Sequence, residues 1–324
     1  MQNKLENFKV SFTTLIEGQI EEAEAVKYLA TLRDTGFSAD ELTVAVSILR
    51  QKMTKVDLGS LDVLDTCGTG GDAKGTFNIS TAASFVVAGA GIPVAKHGNR
   101  AVSSLAGSAD VLSALGVKID VPSEVMVRAV KEIGIGFFMA PLYHASLKNV
   151  AAIRKKLGTK SIFNILGPLL NPAGAKKQVI GVYSKELHNL MAQTLKNLGS
   201  TDVALVTGLD GLDELTLTGP SFITKLKEGS VTNETFDPKS VGYDYCELKD
   251  LGVGDATQNA KRLKLVLKGH SMPLDHCVHL NAALGILTYG KADNFLSALL
   301  LAQESVSSGR AYEKLESLIA LTQE

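Results

Sequence analysis

The chain has 324 residues, 45% hydrophobic and 21% charged, and its 33 Lys and Arg are balanced by 34 Asp and Glu for a net charge of −1. That composition allows a full core in one large or two unequal domains, and it excludes the basic field that would hold nucleic acid or an anionic membrane. Three scattered cysteines exclude a disulfide framework, the N-terminus lacks the apolar run of a signal peptide, and the stretch Ala82–Ala95 is too short to span a bilayer, so a cytoplasmic protein is expected.

The first sixty residues read as helices. Leu5, Phe8, Phe12 and Leu15 recur at helical spacing up to Gly18. Ser38 and Glu41 form a capping box ahead of Leu42, Ala45, Val46 and Leu49. From Leu61 short apolar runs alternate with helical stretches: Val63-Leu64, Ile79–Ala90, Ile92–Ala95, Val111–Leu115, Ile133–Met139, Val179–Tyr183 and Val203–Val206. Buried runs separated by helices predict a largely parallel sheet covered on both faces. Between Pro141 and Pro172 lies a helical insertion, His144–Leu157 and then Ser161–Leu170, which could return to the N-terminal module. The segment Val231–Asp250 is polar and reads as strand and loop.

The strongest local signal is Asp65-Thr66-Cys67-Gly68-Thr69-Gly70-Gly71-Asp72, directly after a short strand. Such a turn exposes backbone amides and can cradle phosphate. Asn78-Ile79-Ser80-Thr81 then opens an apolar helix, and amides and hydroxyls at a helix start suit a phosphate or magnesium. Gly68, Gly70 and Ala73 satisfy a relaxed dinucleotide fingerprint, but the next strand ends in Lys96-His97 where that motif wants an acid. No Gly-Lys-Ser/Thr follows, which removes a Walker A loop.

The segment Lys96–Ser104 offers two fixed cations, an imidazole, an amide and two hydroxyls around Gly98, an inventory suited to a polyanion with a sugar attached. Its bland alternative is a solvated loop with His97 packed in the core. Asp213-Glu214, after the strand Val203–Val206, supplies hard oxygen ligands for a magnesium ion that also contacts phosphates; the alternative is an exposed acidic turn. Arg154, in the inserted helix, is a candidate carboxylate clamp if that helix faces the strand-end loops.

Together these motifs resemble the anthranilate phosphoribosyltransferase family. The resemblance rests on Gly68–Asp72, Thr76–Thr81, Lys96–Ser104, Gly107–Asp110, Ile162–Leu169, Asp210–Glu214 and Leu280-Asn281-Ala282, in that order. It implies a small discontinuous helical domain (1–60 with 141–174), through which members pair as homodimers, and a larger α/β domain (61–140 with 175–324) with a mainly parallel central sheet. It implies phosphoribosyl pyrophosphate on Gly68, Gly71, Asp72, Thr76, Asn78, Ile79, Ser80, Thr81, Lys96, His97, Gly98, Asn99, Arg100, Ala101, Val102, Ser103, Ser104 and Ser108. Anthranilate would lie near Gly68, Asn99 and Arg154, and Mg2+ on Ser80, Asp213 and Glu214. Association with an anthranilate synthase subunit is a further expectation. Ala145-Ser146-Leu147, Thr159-Lys160-Ser161 and Cys67 depart from the family's usual residues, the first two beside the helix that bears Arg154.

The expected chemistry is displacement at the ribose anomeric carbon, with pyrophosphate leaving and the aromatic amine attacking. An aromatic amine is largely unprotonated at neutral pH, so no strong base is demanded; His97 and His144 are candidates, neither strong. Two other readings compete. A nucleoside phosphorylase would have less use for the acidic pair. A binding protein for nucleic acid should carry excess Lys and Arg, which this chain lacks.

Overall fold

A computed structural model of the chain describes residues 2–70, 74–101, 105–270 and 272–324. Three helices open it: α1 (Gln2–Glu17), α2 (Glu22–Thr35) and α3 (Ala39–Lys52). The Ser38 capping box is present, with reciprocal bonds between Ser38 and Glu41. The α/β region follows: β1 (Leu64–Gly68), α4 (Ile79–Gly89), β2 (Val94–Gly98), α5 (Ser108–Leu115), α6 (Ser123–Arg128) and β3 (Ile135–Met139). The crossover to β4 (Lys177–Gly181) carries α7 (Ala140–Tyr143), α8 (Lys148–Leu157) and α9 (Phe163–Leu166). Then come α10 (His188–Asn197), β5 (Asp202–Gly208), β6 (Ser221–Lys227), β7 (Ser230–Phe236), α11 (Ala256–Val266), α12 (Leu274–Tyr289), α13 (Phe295–Ser307) and α14 (Arg310–Gln323).

The seven strands form one sheet in the order β3-β2-β1-β4-β5-β6-β7, parallel through β5 and antiparallel at β6 and β7. This is the α/β fold with a mainly parallel sheet that the alternation predicted. Strand residues alternate between two cores, as strands buried on both faces must. Val179, Ala204 and Val206 join the core under α4, α12, α13 and α14. Ile180, Leu205 and Val203 join the core that includes Phe12, Leu42 and Leu49 of the N-terminal helices. Helix α4 is buried along its whole length except at Ser80, so it runs inside the molecule with its first turn at the sheet edge.

Three local details differ from expectation. The run 133–139 begins its strand only at Ile135, because the chain first turns at Gly134 (φ 89°). The inserted stretch His144–Leu157 is not one helix: a short 3-10 turn at Ala145–Leu147 precedes α8. Helix α9 is a single turn, since Pro168 follows at once and forces a 3-10 turn at Gly167–Leu169. Helix α8 packs against α1 and α2, and Phe163 stacks on Phe12 at 6.0 Å. Among the described residues no helix is long and apolar enough to cross a membrane.

Candidate active site

From β1 the chain winds outward through β2 to β3, and from β4 outward to β5, so the winding reverses between β1 and β4. Open α/β sheets take ligands in the crevice at the carboxyl ends of such a pair. Three segments meet there. The Gly70 N–H donates to Asp213 Oδ2 (3.1 Å), and the Ser80 N–H donates to Glu214 Oε1 (3.0 Å). The Thr69 N–H donates to the Gly181 carbonyl (2.8 Å), and Thr69 Oγ1 accepts from the Tyr183 N–H (3.1 Å). A Cβ on Gly68 would stand 2.9 Å from Asp213 Oδ2, and one on Gly181 would overlap the Asp213 carbonyl oxygen. Glycine at both strand ends therefore lets the acidic loop lie directly on the sheet edge.

The acidic residues of that loop divide their work. Asp210 is consumed locally: Oδ1 accepts from the Leu212 N–H (3.0 Å), and Oδ2 from Thr216 Oγ1 (2.8 Å) and Thr218 Oγ1. It shapes the loop. Asp213 and Glu214 stay partly exposed, Glu214 at the positive end of α4. Two carboxylates and the Ser80 hydroxyl are hard oxygen donors that fit magnesium. Among the described residues no group of three His, Cys, Asp or Glu could hold a metal unaided, so water and ligand oxygens would complete the shell, as is usual for magnesium on phosphates.

Structure separates the basic segment into buried and exposed parts. Lys96 is only 3% exposed, and its Nζ donates to the Thr66 carbonyl. Burial pushes its ammonium down, opposed by the carboxylates of Asp65, Glu214 and Asp213. Asp65, fully buried, accepts from the His97 N–H (3.1 Å) and Gln178 Nε2 (3.2 Å). Arg100 is half-exposed and donates to Asp110 Oδ1 (3.0 Å), while Asp110 Oδ2 accepts from the Ala101 and Gly107 N–H groups (2.8 and 3.0 Å). The Asn99 carbonyl accepts from Ser108 Oγ (3.3 Å). Asn99, Arg100, Ala101 and Ser108 thus form one hydrogen-bonded unit after Gly98. Gly71, Asp72, Val102, Ser103 and Ser104 lie outside the described residues.

The first turn of α4 is held from the far side. Thr76 forms an antiparallel bridge with Gly252, and the Phe77 N–H donates to the Leu251 carbonyl (2.9 Å). The Asn78 N–H donates to Asn259 Oδ1 (3.1 Å), and Asn78 Nδ2 to the Ala106 carbonyl (3.3 Å). Asn78 Oδ1 and Thr81 Oγ1 are buried with no partner among the described residues, which leaves polar capacity beside Ile79 and Ser80. Asn259 was not singled out in the sequence. Its one signal there is a polar residue on the apolar face of α11, four residues before Leu263 and seven before Val266.

On the other side, His97 and His144 approach each other at 3.1 Å between their Nε2 atoms. Burial, and for His97 the neighbouring His144, lower them to about 3 and about 4, so both are neutral at physiological pH and are poor general bases. Arg154 is half-buried, with its guanidinium 5.5 Å from the Phe163 ring centre, and burial lowers its pKa. Among the described residues no hydrogen bond or ion pair engages that guanidinium. Lys160 stands 3.5 Å from the centre of the Tyr183 ring, which brings the insertion beside the residue that bonds Thr69.

The histidines set an acid limit on stability. His188 and His279 also lie at about 4 through burial, against about 6.5 in an unfolded chain. Their folded pKa values are depressed, so this stability is fully present above the unfolded value and is lost as pH falls towards 4. The melting temperature should drop steadily from pH 7 to about pH 4.5. A flat profile would mean that these side chains are not buried as neutral groups.

The comparisons with known proteins agree with this geometry. The sheet and its strand-end site define a glycosyl transferase: residues 60–312 match the glycosyl transferase family, a/b domain. Anthranilate phosphoribosyltransferase from Bradyrhizobium sp. (strain ORS 278) is 45% identical over 312 residues, 96% of this chain and 92% of that protein. The crystal structure of the Thermus thermophilus enzyme of that name superposes with a TM-score of 0.93 at 37% identity, covering 99% of this chain and 96% of that one. The Saccharomyces cerevisiae enzyme in complex with PRPP and Mg gives 0.90 at 28% identity, covering 98% and 92%. The chain belongs to the anthranilate phosphoribosyltransferase family.

Proposed function

We propose that this chain transfers the phosphoribosyl group of phosphoribosyl pyrophosphate to anthranilate, giving N-(5-phosphoribosyl)anthranilate and pyrophosphate, a step of tryptophan biosynthesis. The observation that carries this reading is the acidic loop at the β1/β4 crevice, bonded at once to the glycine turn through Asp213 and to the start of α4 through Glu214. The bond from the ribose anomeric carbon to pyrophosphate breaks, its electron pair leaves with pyrophosphate, and the amine nitrogen forms the new bond and then sheds a proton.

The chain's own groups do the positioning. The Gly70 and Ser80 N–H groups hold the acidic pair in place, and Arg100 faces the phosphates once it exchanges Asp110 for substrate. Asn78 and Thr81 offer buried polar atoms to the ligand. Asp213, Glu214 and Ser80 would hold magnesium. Bound magnesium would supply charge neutralisation on the pyrophosphate oxygens. Lys96 adds a fixed positive field from inside the sheet edge rather than a direct surface contact. With His97 and His144 neutral, the amine attacks without prior deprotonation, and the leaving group is stabilised by preorganised charge.

Arg154 is assigned to the anthranilate carboxylate, because a half-buried guanidinium engaged, among the described residues, only by an aromatic ring is a ready anion partner. Asn99 and Gly68 are assigned to the acceptor with it, on the family resemblance of their motifs. Arg154→Ala should raise the KM for anthranilate by roughly tenfold or more while the KM for phosphoribosyl pyrophosphate stays within about twofold. An unchanged anthranilate KM would remove that role. We further propose that 1–60 with 141–174 act as a helical domain that pairs two copies, that 61–140 with 175–324 form the substrate domain, and that the enzyme works in the cytoplasm. The decisive assay follows loss of anthranilate with phosphoribosyl pyrophosphate, with magnesium and with chelator. Magnesium-dependent release of pyrophosphate supports the whole reading, and no turnover by folded protein sinks it.

A further inference from the structure

We propose that Asn281 is the positioning residue that aims the Asp213-Glu214 pair, and that magnesium-dependent binding of phosphoribosyl pyrophosphate depends on it; the inference rests on the magnesium reading of that pair given above. Asn281 lies in the middle of α12 and is only 3% exposed. Its amide is fully engaged with main chain. Oδ1 accepts from the Leu215 N–H at 2.9 Å, and Nδ2 donates to the Leu215 carbonyl at 2.8 Å and to the Cys277 carbonyl at 2.9 Å.

Leu215 is the residue directly after Glu214 and is fully buried. One side-chain amide that takes both the N–H and the carbonyl of a single residue fixes the rotation of that stretch as well as its position. The chain there needs such a partner, because Asp213 and Glu214 lie between β5 and β6 and belong to neither strand. On the amino side the loop is pinned by Asp210, whose bonds reach the Leu212 N–H. On the carboxyl side the pin is Asn281. The two carboxylates sit between these clamps.

Helix α12 can serve as a rigid reference because it is seated on the elements that carry the rest of the site. At Gly285 it comes so close that a Cβ would stand 3.1 Å from both Leu64 in β1 and Val87 in α4. The same helix therefore braces β1, which ends in the glycine turn, α4, which begins with Ser80, and the acidic loop. Apart from Asn281, the neighbouring buried residues from Val278 to Leu284 are mostly apolar (Val278, Leu280, Ala282, Ala283, Leu284), so an amide in this place is not demanded by packing. Burying it is tolerable only because all its bonds are made. Groups outside the ligand set orient a metal's ligands and tune its affinity, and a clamp one residue from Glu214 can do so through the main chain.

The test is calorimetric titration of phosphoribosyl pyrophosphate into wild type, Asn281→Ala and Asn281→Ser, each with saturating magnesium and with chelator. Wild type gains affinity from magnesium. Asn281→Ala is expected to lose about tenfold of that gain, with metal-free binding moved by less than about twofold. Asn281→Ser keeps one donor and one acceptor, loses less of the gain, and carries the test if the alanine variant does not fold. Ser305→Ala is the control for a general loss of stability: Ser305 Oγ is as deeply buried and donates to the Val86 carbonyl of α4 at 2.7 Å, away from the acidic loop. It should lower the melting temperature and keep the wild-type magnesium gain. The inference is overturned if folded Asn281 variants keep the full gain, or if they lose the same factor with and without magnesium. If wild-type affinity ignores magnesium, the metal reading of Asp213-Glu214 falls, and this inference with it.

Discussion

Glu214→Gln is expected to lower kcat/KM for phosphoribosyl pyrophosphate by about 100-fold or more, with little change in melting temperature. The glutamine oxygen can still accept from the Ser80 N–H, the 3.0 Å bond that ties the loop to α4, so the local fold survives. What is lost is one of two negative charges available to magnesium, and with it the neutralisation of the leaving pyrophosphate. Asp213→Asn should behave alike, since its oxygen can still accept from the Gly70 N–H. Steady-state rates measured across a magnesium titration give the answer. Both variants should need more metal for half-maximal rate. A Glu214→Gln enzyme with wild-type rate and wild-type magnesium dependence would remove the metal from this pair.

Gly181→Ala should be nearly as damaging, for a steric reason. The added Cβ overlaps the Asp213 carbonyl oxygen and stands 2.9 Å from its carbon, so the acidic loop must lift away from the ends of β1 and β4. Overpacking of this kind costs about 1–3 kcal/mol in stability. Displacing the carboxylates by even ~1 Å can cost about 100-fold in rate. A glycine of the acidic loop itself, Gly219, has nothing within 4 Å of an added Cβ, and Gly219→Ala should leave both quantities near wild type. Thermal melting with kinetics on the pair checks this. Equal behaviour of the two variants would mean that the loop is not seated on the sheet edge as described.

Much of this was legible along the chain because it is local. The glycine turn announces a strand end, Asn78-Ile79-Ser80-Thr81 announces a helix start, and the alternation of short apolar runs with helices announces the parallel sheet. The segment from Val231 read as strand and loop, but β6 and its antiparallel pairing with β7 were hidden, since β7 is a polar edge strand whose residues are largely exposed and carry no apolar period. Burial was hidden too. Lys96 and Arg100 look alike in the sequence, yet one lies inside the sheet edge and the other at the surface with Asp110. Asp210 and Asp213 follow the same strand three residues apart, yet two hydroxyls and an amide consume Asp210. The bonds from Asn259 to Asn78 and from Asn281 to Leu215 join positions far apart in sequence, and no spacing rule reaches them.

The seat of α12 also fixes an order of assembly. A ribosome delivers β1, α4 and the acidic loop well before it delivers Asn281, and a domain generally folds as a unit. Until α12 is made, Leu215 has no clamp and α4 lacks a helix that covers it along its length. A nascent or C-terminally truncated chain would therefore display its glycine turn and its carboxylates without holding them in one arrangement. Ligand binding becomes a property of the nearly finished polypeptide, and a fragment that ends before α12 would neither compete for the donor substrate nor sequester its metal.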